Sequence, residues 1–226
     1  MNSAKLFSKL LNRWRVDHVI KNVCSNTLLS PLKLRSLARL SEQVLAQNIA
    51  GDFVECGVYK GGSAALIANI LKQDQQRKLW LYDGFQGMPM TTDKDGAEAS
   101  NAIGGYKASE NDVIKVMNHI SIKPQNYSII KGMFNDTFAN HENLPDKVAF
   151  LHCDADWYDS VSLVLNTFYE RMPVGACVVL DDFGYWEGCR RAFYDFCKLT
   201  EEAPLLERIS YDQAYWFKGR ETNRKP

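Results

Sequence analysis

Five acidic residues stand at the ends of apolar runs. Glu55 follows Phe53 and Val54, Asp83 follows Leu79 to Tyr82, Asp154 follows Val148 to Cys153, and the pair Asp181-Asp182 follows Cys177 to Leu180. A carboxylate there can accept hydrogen bonds from a ligand's ammonium or hydroxyls, or hold a hard cation through oxygen. Beside the first acid lie Gly57, Gly61 and Gly62, then Ser63 and the apolar stretch Ala64 to Leu71. Strand, glycine-bearing turn and helix start present free N–H groups and a backbone that a ligand can approach closely. By itself this pattern serves a plain tight turn equally well. Asp83 follows Glu55 by 28 positions, close to where nucleotide-binding sheets place an acid for ribose hydroxyls. An aspartate opening a turn before Gly84 is the other reading of that residue.

These side chains meet only if the chain alternates strands and helices. The spacing predicts a helix from Ala64 and a second strand over Lys78 to Asp83. A polar loop, Phe85 to Lys107, then lies where a lid would be. Ser109 and Glu110 open a helix to Ile120, and a third strand runs from Tyr127 to Lys131. The fourth strand, Val148 to Asp154, is apolar enough to be buried on both faces. Asp159 or Ser160 caps a helix to Met172, and a fifth strand covers Cys177 to Asp182. A helix from Trp186 to Leu199 and two short runs, Leu205 to Ile209 and Ala214 to Lys218, close the chain as an antiparallel pair. The expected fold is a doubly wound α/β sheet, mostly parallel, whose strand-end acids converge along one edge.

Upstream, Ser30-Pro31 is a helix start leading to Gln47. Ser3 to Lys21 is basic and amphipathic, with Leu6, Phe7, Leu10, Leu11 and Trp14 at helical spacing. Residues 1–49 therefore read as a helical extension and 50–220 as the main domain. The stripe predicts a homodimer or higher homo-oligomer, with a membrane-surface helix over 3–21 as the alternative.

At 226 residues, 46% hydrophobic and 24% charged, the chain suits one sizeable core. Lys+Arg and Asp+Glu both number 27, which argues against nucleic acid as a partner. No apolar run reaches transmembrane length. The six cysteines form no CxxC pair and read as buried thiols in a reducing, cytoplasmic setting.

Clustered carboxylates repel unless a cation sits among them. Asp154, Asp181 and Asp182 end neighbouring strands, and three oxygen ligands with open positions left over suit Mg²⁺. Asp156 is placed one step outside this set, where helix capping explains it.

Glu55-Cys-Gly57-Val-Tyr59-Lys-Gly61-Gly-Ser63 resembles the first motif of metal-dependent O-methyltransferases of the catechol and caffeoyl-CoA type, which use S-adenosylmethionine. A closer match is the macrocin O-methyltransferase family, whose members methylate sugar hydroxyls of natural products. It is carried by Tyr82 to Pro89, by His152-Cys-Asp154-Ala-Asp156-Trp-Tyr158 and by Leu180 to Ala192, with Gly132 and Asp136-Thr137 fitting the family's third-strand loop. The resemblance implies a class I methyltransferase fold. It implies that Glu55, Gly57, Tyr59 and Ser63 hold the methionine part of the cofactor and Asp83 the ribose. Phe85 would lie beside the adenine, and Gly132 and Asp136 would complete the cofactor site. It further implies that Asp154, Asp181 and Asp182 hold Mg²⁺ or Mn²⁺. The catechol-type enzymes carry a lysine base three residues after the first metal aspartate. Trp157 stands there, so Asp154 becomes the candidate base.

The expected reaction is methyl transfer to a hydroxyl of a sugar or other vicinal diol, in a glycan or a small molecule. Two alternatives remain at this level. Asp154-Ala155-Asp156 could be the Asp-x-Asp of a metal-dependent glycosyltransferase, or the chain could be a non-catalytic binding subunit on the same fold.

Overall fold

The computed structural model describes residues 3–72, 74 and 76–220, and of 3–12 the backbone only. Two helices come first, α1 (Ser3–Val23) and α2 (Pro31–Ala46). Ser30 caps α2 by accepting from the Lys33 N–H, and Pro31 opens it. Then β1 (Asp52–Cys56), α3 (Gly62–Leu71), β2 (Leu79–Asp83), α4 (Glu110–His119), β3 (Tyr127–Lys131) and α5 (Phe134–Ala139) follow. The second half holds β4 (Val148–Cys153), α6 (Tyr158–Phe168), β5 (Cys177–Leu180), α7 (Glu187–Thr200), β6 (Glu207–Arg208) and β7 (Ala214–Phe217).

The strands form one sheet in the order β3-β2-β1-β4-β5-β7-β6. β1 to β5 are parallel, β7 runs antiparallel to β5, and β6 pairs antiparallel to β7. The chain winds outward from β1 through β2 to β3, then returns to lay β4 on the other side of β1. That reversal opens a crevice above β1 and β4, where sheets of this kind bind ligands.

Strand alternation splits the core into two layers. Phe53, Leu79, Leu81, Phe150 and Val179 face α2, α3, α4 and the end of α1. Val54, Tyr82, Leu151, Val178 and Trp216 face α5, α6 and α7. Ile20 and Val23 of α1 and Leu34, Leu37, Leu40 and Val44 of α2 share the first core with the sheet. The side chains of Leu6, Phe7, Leu10 and Leu11 lie outside the described residues, while Trp14 is exposed and stacks on His18. Among the described residues no helix is long and apolar enough to cross a membrane.

One helix start differs from the sequence expectation. α6 begins at Tyr158, ahead of Asp159 and Ser160, and its cap residue Trp157 offers no side-chain acceptor. The buried Asp95 supplies it instead, accepting from the Tyr158 N–H at 2.6 Å and from the Thr92 N–H at 2.7 Å. A helix needs an acceptor at its N-terminus, and that acceptor need not be local in sequence. The Trp157 indole donates to the Pro89 carbonyl at 3.0 Å. Together these bonds fasten the loop after β2 to the segment that carries Asp154 and Asp156.

Candidate active site

The turn after β1 is held by packing against the protein itself. Gly57 has φ +86°, and a Cβ there would meet the Asp154 carbonyl oxygen at 1.7 Å. Asp154 N–H donates to the Cys56 carbonyl at 2.9 Å, so the ends of β1 and β4 touch at this glycine. A Cβ on Gly62 would meet the Val23 carbonyl at 2.7 Å, where the link between α1 and α2 crosses α3. Two of the glycines that look ligand-directed in the sequence thus serve close backbone contacts within the fold. Gly57→Ala should destabilise the protein by roughly 3 kcal/mol or more, from the clash and the left-handed φ together. Urea unfolding checks this. A midpoint within experimental error of the parent would show that the two strand ends can separate freely.

Asp83 braces the same turn. Its Oδ2 accepts from the N–H groups of Val58 at 2.7 Å and Tyr59 at 2.8 Å, and its Oδ1 from Phe85 N–H at 2.6 Å. The last bond is the turn-opening role read as the alternative for this residue. A carboxylate has about four acceptor sites, so capacity is left for hydroxyls. Asp83 lines a cavity of about 1020 Å³ together with Gly57, Tyr59, Gly132, Met133 and Phe134. Glu55, Ser63 and Phe85 are buried and Asp136 sits exposed on α5, and none of the four is among the residues that line this cavity.

Three acids gather just beyond β4 and β5. Carboxylate oxygens of Asp154, Asp156 and Asp182 lie within 4.8 Å of one another. Asp156 reaches the group because its backbone is left-handed, at φ 57°, a conformation that aspartate tolerates better than most residues. The Trp186 indole fixes it by donating to Oδ1 at 3.0 Å. Burial first, and then the neighbouring acids, push the Asp154 and Asp156 carboxyls well above the usual range. Burial and Asp181 push Asp182 up to about 7. Asp182 Oδ2 is buried without a partner. A dense set of hard oxygen donors, one of them orphaned, fits a divalent cation such as Mg²⁺ or Mn²⁺.

The structure parts the Asp181-Asp182 pair. Beyond β5, alternation carries Asp181 toward the α2 side of the sheet, with Val179. There Lys33 Nζ donates to Asp181 Oδ2 at 2.7 Å, and Gln213 Nε2 donates to Oδ1 at 2.6 Å. Lys33 Nζ also pairs with Asp212 Oδ2 at 2.6 Å. Burial works against the ammonium charge, but Asp181, Asp212 and Asp182 outweigh it and keep Lys33 protonated. Burial raises the cost of ionising Asp181 too, yet His152 and Lys33 hold its carboxyl below the usual range. His152 Nδ1 lies 2.8 Å from Glu55 Oε1, and its Nε2 lies 3.8 Å from Asp181 Oδ1. Burial would lower the His152 pKa, but Asp181 and Glu55 raise it to about 9. A buried chain of charge thus joins the end of β1 to α2 through β4 and β5.

Asp154 and Asp182 therefore lie together, with Asp156 beside them, while both oxygens of Asp181 already accept hydrogen bonds. Lys33, Gln213 and Asp212 were not among the residues singled out from the sequence. No local signal marks them, because they lie far along the chain from the strand ends they serve. His152 does carry a signal, being a polar residue inside the otherwise apolar run Val148 to Cys153. On the outer rim, Tyr185 and Tyr211 are exposed with ring centroids 6.5 Å apart, and Tyr185 packs on Trp186 at 4.6 Å.

A family model described as Macrocin-O-methyltransferase (TylF) matches residues 12–218. Demethyldecarbamoylnovobiocin O-methyltransferase of Streptomyces niveus is 27% identical over 204 residues, covering 87% of this chain and 77% of the relative. The 8-demethyl-8-(2,3-dimethoxy-α-L-rhamnosyl)-tetracenomycin-C 4′-O-methyltransferase of Streptomyces olivaceus is 28% identical, covering 85% and 75%. The solved structure of the O-methyltransferase NovP superposes with a TM-score of 0.79 at 27% identity, covering 86% of this chain and 83% of that one.

Proposed function

Because the chain belongs to the macrocin O-methyltransferase family and is an O-methyltransferase, we propose that it moves a methyl group from S-adenosylmethionine to a ring hydroxyl of a sugar or natural product. The observation that carries this reading is one cavity lined both by the glycine turn with Asp83, at the ends of β1 and β2, and by the acid group Asp154, Asp156 and Asp182, beyond β4 and β5. The tetracenomycin relative's name places methylation at a rhamnosyl position beside existing methoxy groups. The oxygen next to the reacting hydroxyl can accordingly be an ether as well as a hydroxyl.

Asp83 would take the ribose hydroxyls with the acceptor capacity left after bracing the turn. The turn residues Gly57 and Tyr59 would line the methionine end. A divalent cation bound by Asp154, Asp156 and Asp182 would supply Lewis acidity, lowering the pKa of the acceptor hydroxyl. Asp154 is our candidate for the proton acceptor, being both close to the neighbouring acids and open to the cavity. Tyr185, Tyr211 and Trp186 would offer aromatic faces to the acceptor ring, restricting its orientation so that the oxygen meets the methyl group in line.

Calorimetry with S-adenosylmethionine and, separately, with a nucleotide sugar tests the reading, each with and without Mg²⁺. We expect binding of the sulfonium cofactor and none of the nucleotide sugar. The opposite result would favour glycosyl transfer through Asp154 and Asp156. A screen of cell extract with methyl-labelled cofactor then finds the acceptor.

A further inference from the structure

We infer that Lys33 is a built-in counter-ion of the acid site, a positioning residue that holds Asp181 and Asp212 and sets how tightly the site takes a divalent cation. The inference rests on the cation reading above.

Lys33 comes from α2, outside the sheet, and its ammonium lies 2.7 Å from Asp181 Oδ2 and 2.6 Å from Asp212 Oδ2. The residue is only 8% exposed, although lysine is rarely buried without a functional or pairing reason. It also lines the cavity that contains Asp154, Asp156 and Asp182. Its charge pairs directly with Asp181 and Asp212, and its field also acts on Asp154 and Asp182.

Two consequences follow from charge alone. In the absence of a cation, Lys33 offsets part of the mutual repulsion of the acids and lets them stay close. In the presence of one, Lys33 opposes it as a like charge. The balance leaves a site that is prearranged but able to exchange its ion. The same lysine fastens α2 to the β6–β7 loop through Asp212, so the N-terminal helices help to shape the site.

The test uses terbium(III) as a probe of the acid site in the full-length protein. The indole of Trp186 lies 3.0 Å from Asp156 Oδ1, near enough to sensitise terbium luminescence. Mg²⁺ displacement then gives the Mg²⁺ affinity. Lys33→Gln keeps hydrogen bonding to both carboxylates and drops the charge. It should bind Mg²⁺ at least about tenfold more tightly than the parent. Its melting temperature should be lower in chelator and should rise more on adding Mg²⁺. Lys33→Arg keeps the charge and should bind as the parent does. Asp212→Asn leaves the lysine less neutralised and should weaken Mg²⁺ binding, a shift of opposite sign in a variant that keeps the Lys33–Asp181 pair. A purely structural role would loosen the site and weaken the ion in every case. A folded Lys33→Gln protein with equal or weaker affinity overturns the inference, as does an unchanged affinity in Asp212→Asn. If the parent protein gives no sensitised luminescence, the cation reading itself fails and takes this one with it.

Discussion

Chelation should silence methyl transfer, Mg²⁺ should restore it, and Asp154→Asn or Asp182→Asn should lower turnover by about a thousandfold or more. A factor of a thousand is about 4 kcal/mol of barrier, within what a Lewis-acid cation contributes at a developing alkoxide. Asp154→Asn should cost most, since it removes a donor and the candidate base together. Asp156 stands one step outside the metal set in the sequence reading, which makes its loss mild. The structure brings its carboxylate within 4.8 Å of the other two, so Asp156→Asn should fall within about tenfold of Asp182→Asn. Stability separates this from misfolding. Each substitution takes one acid from a mutually repelling group, so each variant should melt no lower than the parent in chelator. Full activity in excess chelator, or an Asp154→Asn protein as active as the parent, would overturn the cation mechanism and leave the cofactor reading intact.

Asp83→Ala should weaken S-adenosylhomocysteine binding by about 2–4 kcal/mol, or roughly 30- to 1000-fold. One part is the lost charge-assisted bond to the ribose. The other is the turn itself, whose Val58, Tyr59 and Phe85 N–H groups all lose their acceptor. Asp83→Asn keeps one acceptor oxygen and should lose about tenfold. Calorimetry reads both values, and terbium binding at the acid group should stay at the parent level in each. Unchanged cofactor affinity in Asp83→Ala would mean that the residue serves the turn alone.

The apolar runs ending in Glu55, Asp83, Asp154 and Asp181 determine the parallel strands and their common edge without reference to coordinates. Local physics suffices for Asp83, Asp154 and Asp181, where an apolar run stops at or just beyond the strand end. Glu55 and His152, by contrast, are polar residues buried inside β1 and β4 and paired with each other. Strand order between β4 and β5 was legible too, because consecutive βα units tend to lie side by side. The allocation of the acids was not. Whether Asp181 or Asp156 joins Asp154 and Asp182 depends on the alternation beyond β5, on the left-handed backbone at Asp156, and on Lys33 reaching across from α2. Lys33 lies 148 positions from Asp181, and no periodicity links the two. The same holds for Asp95, which caps α6 from 63 positions away, and for Gly57, whose missing side chain makes room for β4. Strands and helices follow from short-range patterns of burial and backbone preference. The charge on each carboxylate follows from what the finished fold places beside it, because Coulomb interactions and desolvation depend on distance in space and not along the chain.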